Sequence, residues 1–161
     1  MVIKRTTEWW DTYFINLAEY VSRASKDPST KTGAVIIGPN RRIVSLGYNG
    51  FPPRIEDTEE RLNDRDIKYK LVIHAEMNAI LNAHMSVREC VMYIWPFPPC
   101  SRCAVHIVAS GLATVIAPEI PIDKKERWGQ DIALAVRIFN EAGVQVVKYD
   151  QIPGTGEKHA R

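Results

Sequence analysis

Four side chains in two short stretches carry the residue types of a metal-assisted hydrolytic centre. They are His74 and Glu76 in His-Ala-Glu, and Cys100 and Cys103 in Pro-Cys-Ser-Arg-Cys. An imidazole and two thiolates suit zinc. A structural zinc normally takes four protein ligands, whereas a catalytic one takes three and leaves a position open for water or substrate. His74, Cys100 and Cys103 therefore predict an open zinc, with the carboxylate of Glu76 beside it and not needed as a fourth ligand.

His-x-Glu combined with Pro-Cys-x-x-Cys is the signature of zinc nucleobase deaminases. Zinc lowers the pKa of bound water from about 15.7 towards about 7, so hydroxide becomes available near neutral pH. Glu76 is expected to take the proton, pass it to the ring nitrogen beside the attacked carbon, and then help protonate the departing amine. Two other readings compete. A lone Cys-x-x-Cys is also a redox pair, a reading that the upstream His-x-Glu weakens. A structural zinc would need Cys90, His84 or His106 to complete its sphere. Cys90 borders the apolar run Val91 to Ile94 and reads as a small buried hydrophobe. His106 reads as a surface or core-packing residue, and His84 and His159 as solvent-facing.

Local structure must bring the two halves together. The run from His74 to Ala83 lacks Gly and Pro and is rich in helix formers, which places His74 and Glu76 in a first helical turn. Pro98 and Pro99 break the preceding segment; Cys100 to Ser110 then reads as helix, stopped by Gly111. Cysteines three apart in a first turn share a face, and the unpaired amides there favour thiolate. Upstream, Trp10, Phe14, Leu17, Val21 and Ala24 form one apolar stripe of a helix over Thr7 to Ser25. Ala34 to Ile37 and Ile43 to Tyr48 read as strands around the turn Gly38-Pro39-Asn40, an antiparallel hairpin. Further strands are expected at Val91 to Ile94, Ala113 to Ile116 and Val144 to Val147, with a helix from Trp128 to Ala142 capped by Gly143. Strands separated by helices imply parallel crossovers. The expected fold is α/β, a three-layer α/β/α sandwich on a five-stranded mixed sheet.

The segment from Arg54 to Lys70 holds eleven charged residues in seventeen, five basic and six acidic. It reads as a solvated loop and exposed helix, with a flap over the active site as the alternative. The chain has 161 residues, 45% of them hydrophobic, and a net charge of +2. One domain over residues 1–151 is expected, followed by a frayed tail over 152–161. The small net charge favours a small-molecule substrate over nucleic acid. Three cysteines, two committed to metal, fit a reducing cytoplasm. No apolar stretch approaches the length of a membrane span or signal peptide.

Four segments make the chain resemble the deoxycytidylate deaminases, a branch of the cytidine deaminase superfamily. They are Ser25-Lys26-Asp27-Pro28 with Thr32-Gly33-Ala34-Val35, Gly47-Tyr48-Asn49-Gly50-Phe51-Pro52, His74-Ala75-Glu76-Met77-Asn78-Ala79-Ile80, and Pro99-Cys100-x-x-Cys103-Ala104. The last two carry the superfamily; the first two, with Asn78, carry the branch. The resemblance runs from about Leu17 to Val147. It implies a cytidine deaminase-like fold and hydrolysis of deoxycytidine monophosphate (dCMP) to deoxyuridine monophosphate (dUMP), supplying thymidylate synthesis. It also implies zinc as cofactor and a homo-oligomer, commonly a hexamer. Among the residues, it implies Asn49 at the sugar 3′-hydroxyl or phosphate, Lys26 at the phosphate, the Ala75 N–H at the 2-oxo group and the Pro98 carbonyl at the 4-amino group. Lys26 can equally be a helix-end cation, and Asn49 a turn former. The rivals are a deaminase of another cytosine nucleoside or nucleotide, including 5-substituted ones, an RNA base editor, and a non-enzymatic zinc module that binds nucleotides.

The chain also departs from this pattern. Ile94-Trp95-Pro96-Phe97-Pro98-Pro99 is one residue longer than the usual stretch before Pro-Cys, so Trp95 and Phe97 could stack on a base or fill the core. Ala117-Pro118-Glu119 stands where a tyrosine near the phosphate is common. Arg54 stands where nucleotide-regulated members tend to have glycine, so the resemblance does not carry feedback control by nucleoside triphosphates.

Overall fold

A computed structural model describes residues 4–151. The expected tail over 152–161, with His159, lies outside the described residues. The first helix, α1, spans Thr7–Ser22, started by the Thr6 hydroxyl, which accepts the Trp9 N–H at 3.2 Å. It ends three residues before the expected Ser25, so Ala24, counted in its apolar stripe, is exposed. Of the stripe, Phe14 and Val21 are buried and Trp10 and Leu17 partly so, while Ile15 and Ala18, outside it, complete the buried face.

The hairpin forms as expected, β1 at Gly33–Ile37 and β2 at Ile43–Tyr48, paired antiparallel. After two short helices, α2 at Glu59–Asn63 and α3 at Arg65–Leu71, comes α4 at Ala75–Leu81. The rest is β3 at Val91–Trp95, α5 at Ser101–Ser110, β4 at Thr114–Ala117, α6 at Ile122–Ala142 and β5 at Gln145–Lys148. The strand order is β2-β1-β3-β4-β5. Pairing is antiparallel on both sides of β1 and parallel from β3 to β5. The mixed five-stranded sheet is therefore present, with β1 alone reversed.

Alternation along the strands sorts the core into two layers. Val35, Ile37, Tyr93 and Ile116 face α1. Ala34, Ile36, Met92, Ile94 and Val115 face residues of α4, α5 and α6. The three-layer sandwich follows. Tyr93 also ties β3 to α1, donating its hydroxyl to Asp11 at 2.6 Å.

Two expectations need correction. Helix α6 begins at Ile122, six residues before Trp128, because Pro121 fixes its N-cap and the charged run Asp123 to Arg127 continues the helix without an apolar stripe to reveal it. The 54–70 segment is not simply solvated. Thr58 and Asp64 side chains cap α2 and α3, and Lys68 is buried against Asp27 at 3.2 Å. No helix among the described residues is long and apolar enough to cross a membrane.

Candidate active site

Helix α4 carries His74 and Glu76, and β2 fixes where it lies. A Cβ added at Gly47 would sit 2.3 Å from the Ala79 nitrogen and 2.5 Å from the Ala75 carbonyl oxygen. Only glycine allows this approach of helix to strand. Hydrogen bonds then lock the pair. The Ser45 hydroxyl donates to the Ala79 carbonyl, while the Asn78 and Asn82 side chains donate to the Tyr48 and Leu46 carbonyls at 2.8 and 3.1 Å. Those carbonyls lie on the strand at the sheet edge, where backbone groups otherwise lack partners. Gly50 and Ile73 pair by two backbone hydrogen bonds at 2.9 and 3.1 Å, setting the entry to His74.

His74 and Cys100 stand one position outside the first turns expected for them. Each is an N-cap with extended backbone. The Cys100 sulfur accepts the Cys103 N–H at 3.5 Å. The start of α5 is held from α6, where Asp131 accepts both the Ser101 N–H at 3.0 Å and the Ser101 hydroxyl at 2.5 Å.

The two helix starts converge. His74 Nδ1 lies 3.5 Å from Cys100 Sγ and 3.4 Å from Cys103 Sγ, and the three ligand atoms fall within 4.8 Å of one another. Tetrahedral zinc with ordinary bond lengths separates nitrogen from sulfur by about 3.6 Å. The residues fit zinc. Glu76 is 4% exposed, and its Oε2 is buried with no hydrogen-bond partner among the described residues. That leaves an oxygen free to act on a substrate or water instead of sustaining the fold.

The charges of the cluster are strongly coupled. Hydrogen bonding to Cys100 raises His74 to about 9, while the hydrogen bond from Cys103 lowers Cys100. Cys103 is raised, first by donating to Cys100 and then by burial. Burial also raises the Glu76 carboxyl, against the opposing pull of His74. A cation taken up here displaces protons from His74 and Cys103.

His74, Glu76 and Cys100 line a cavity of about 310 Å³, within the size range of small-molecule sites. Phe97 and Pro98 line it as well. Trp95 instead packs against the core on the α1 side, so of the two aromatics of the longer stretch Phe97 lines the cavity and Trp95 does not. Ala75 is fully buried at the first position of α4.

Asn49 lines the cavity, but its amide is partly engaged. It accepts the Thr32 N–H at 2.7 Å and donates to the Thr30 carbonyl at 2.9 Å, fixing that loop. One N–H and one lone pair remain. Lys26 is not brought into this cavity. Buried Ser25 donates to the Asn49 carbonyl at 2.8 Å, and the next side chain consequently points out, 68% exposed and paired with Asp57 at 2.8 Å. Of the alternative ligands, Cys90 is buried in the core, His84 is exposed, and exposed His106 bonds the Arg102 carbonyl at 2.7 Å. None joins the cluster. Arg65, Lys68, Tyr69, Arg127 and Trp128 line the cavity too, yet none was singled out by motif. The charged run hinted at the first three; nothing in spacing marked the other two.

Residues 8–118 match the model of the cytidine and deoxycytidylate deaminase zinc-binding region. The chain is 42% identical over 137 residues to an uncharacterized deaminase in the luxG 3′ region of Aliivibrio fischeri, covering 85% of this chain and 91% of that one. It is 36% identical over 148 residues to human deoxycytidylate deaminase, covering 87% and 79%. A solved dCMP deaminase from the cyanophage S-TIM5, in complex with dCMP and dUMP, superposes with a TM-score of 0.67 at 23% identity. It covers 90% of this chain and 99% of that one. At that identity the likeness speaks for the fold.

Proposed function

This chain belongs to the cytidine and deoxycytidylate deaminase family, and from that premise we propose that it hydrolyses dCMP to dUMP and ammonia. One observation carries the reading. Three zinc-type ligands cluster, with His74 and Cys100 lining the cavity, and beside them stands a buried carboxyl whose Oε2 has no partner among the described residues.

His74, Cys100 and Cys103 would hold the zinc. Bound there, zinc supplies the Lewis acidity that lets water lose a proton near neutral pH. Glu76 would take one water proton and deliver it to cytosine N3 as the water oxygen bonds C4. It would then take the remaining hydroxyl proton and pass it to the amine, so that the C4–N bond breaks, the C4 carbonyl forms and ammonia leaves. The raised pKa of Glu76, caused first by burial, suits a group that must both accept and release. Phe97 offers a face for the base. The Pro98 carbonyl is assigned to the 4-amino group and the Ala75 N–H to the 2-oxo group. The spare N–H and lone pair of Asn49 are assigned to the sugar 3′-hydroxyl.

We assign the activity to one domain, residues 1–151, in the cytoplasm, where unpaired Cys90, Cys100 and Cys103 would persist. Self-association belongs to the reading and is supported by exposed Ile43, Leu46 and Tyr48 on β2 and Leu81 on α4.

The test is ammonia release from deoxycytidine, dCMP, dCTP, cytidine monophosphate, adenosine and transfer RNA, with zinc quantified alongside. Preference for dCMP is expected; release only from adenosine or RNA overturns the substrate. Glu76→Gln should retain zinc and lose turnover about a thousandfold. Unchanged turnover in that variant would remove Glu76 from the mechanism.

A further inference from the structure

Lys68, Arg65 and Arg127 line the cavity while Lys26 lies outside it, and their partners distinguish these four side chains. Lys26 is neutralised by Asp57, and Lys68 by Asp27 at 3.2 Å with Ser29 at 3.1 Å. Asp27 is further held by the Ser29 and Thr30 N–H groups, at 2.7 and 3.2 Å. Both lysines therefore belong to closed, locally balanced contacts.

Arg65 and Arg127 differ. Both line the cavity, and among the described residues neither guanidinium has a carboxylate within the 4.0 Å of an ion pair. Their shared partner is neutral. Arg65 Nε donates to the Tyr69 hydroxyl at 3.2 Å, and Arg127 Nη2 donates to the same oxygen. Aromatic faces orient both groups, Tyr69 beneath Arg65 at 5.3 Å and Trp128 beneath Arg127 at 4.8 Å. Two like charges thus converge on one uncharged atom. A guanidinium pair held this way presents several N–H donors and a double positive charge, which matches the oxygens of a phosphate. Two carboxylates line the cavity, Asp27, which pairs with Lys68, and Glu76, which is buried beside the zinc-type ligands.

The geometry points to Arg65 and Arg127, joined through Tyr69, as the clamp for the 5′-phosphate of a nucleoside monophosphate whose base lies at Glu76. This rests on the reading of the cavity as a cytosine nucleotide site. It moves phosphate recognition from Lys26 to two residues on α3 and α6, and makes the monophosphate the selected form over the bare nucleoside.

The experiment measures binding of dUMP and of deoxyuridine to the zinc-loaded protein by calorimetry. In the unaltered chain dUMP should bind about a hundredfold more tightly. In Arg65→Gln/Arg127→Gln that ratio should fall to within about threefold of unity, with deoxyuridine affinity, zinc content and thermal midpoint retained. Lys70→Gln/Lys125→Gln removes the same charge from the same two helices outside the cavity lining and should keep the ratio. No preference in the unaltered chain, an unchanged ratio in the arginine variant, or an equal loss in the lysine variant each overturns the clamp. Ammonia assays separate this from the parent reading. If the arginine variant loses dUMP preference while no cytosine compound is deaminated, the anion clamp stands and the deaminase assignment falls.

Discussion

On one wall of the cavity, His74 and Glu76 stand on a helix that β2 grips by backbone contact at Gly47 and by hydrogen bonds from Ser45, Asn78 and Asn82. On the facing wall, Arg65, Tyr69 and Arg127 stand on α3 and on the first turns of α6, exposed and held largely by one another. The difference follows from the work each does. A proton carrier must keep its place to a fraction of an ångström, so its helix is seated directly on a strand backbone. An anion clamp acts through charge and through long, flexible side chains, so it tolerates an exposed support. The largest test of the contrast is Gly47→Ala. Its Cβ would meet backbone atoms that no rotamer change can move, and a loss of about 3 kcal/mol or more in folding stability is expected in urea denaturation. A loss below about 1 kcal/mol would show that α4 can shift, and that the first wall is not rigid.

The two walls are joined through α6. Arg127 and Asp131 are four apart on this helix and share a face; Arg127 belongs to the anion side while Asp131 holds Ser101 at the start of α5. Asp131→Ala removes two hydrogen bonds next to Cys100 and should lower zinc affinity about tenfold, with about 1–2 kcal/mol of stability lost. Competition with a chelator measures the first and thermal unfolding the second. Lost stability with unaltered zinc affinity would make Asp131 a cap for the fold alone.

The contrast between the walls is also one of legibility. His-x-Glu and Cys-x-x-Cys place their chemistry within a few residues, and a helix start converts that spacing directly into shared direction. The strands were readable for a similar reason, since β-branched runs such as Val35 to Ile37 announce burial. The clamp was not readable. Tyr69 and Arg127 are 58 residues apart, and charged residues on exposed helices look alike whether they hold a ligand or face water. Lys26 shows the same limit from the other side. Its type suited a phosphate, but Ser25, buried by its bond to Asn49, sends the neighbouring side chain outward.

A smaller effect is expected where the second wall rests on a single cap. Asp64 Oδ1 accepts the Asp66 and Ile67 N–H groups at 3.0 and 3.1 Å and starts α3, the helix of Arg65 and Tyr69. Asp64→Ala should cost about 1 kcal/mol. It should also raise KM for dCMP several-fold while zinc content stays constant, so that the anion side loosens without disturbing the metal side. Equal loss of zinc would mean that the walls are not separable.

The smallest effect concerns Arg54, at the entrance to the charged segment. The Ile55 N–H donates to the Pro52 carbonyl at 3.1 Å, and Arg54 has φ of 73°. Proline at the second position and positive φ at the third are the features of a type II turn, which favours glycine where Arg54 stands. A residue with a Cβ in this region costs about 1–2 kcal/mol. Replacing it by glycine relieves that strain but adds freedom to the unfolded chain, offsetting about 0.5–1 kcal/mol. Arg54→Gly should therefore stabilise the protein by about 0.5 kcal/mol, whereas Arg54→Ala, keeping the Cβ, should change little. The pair of variants separates backbone strain from side-chain contact. If glycine and alanine destabilise equally, the arginine side chain contributes packing at this turn, and the second wall is held by more than its caps and its clamp.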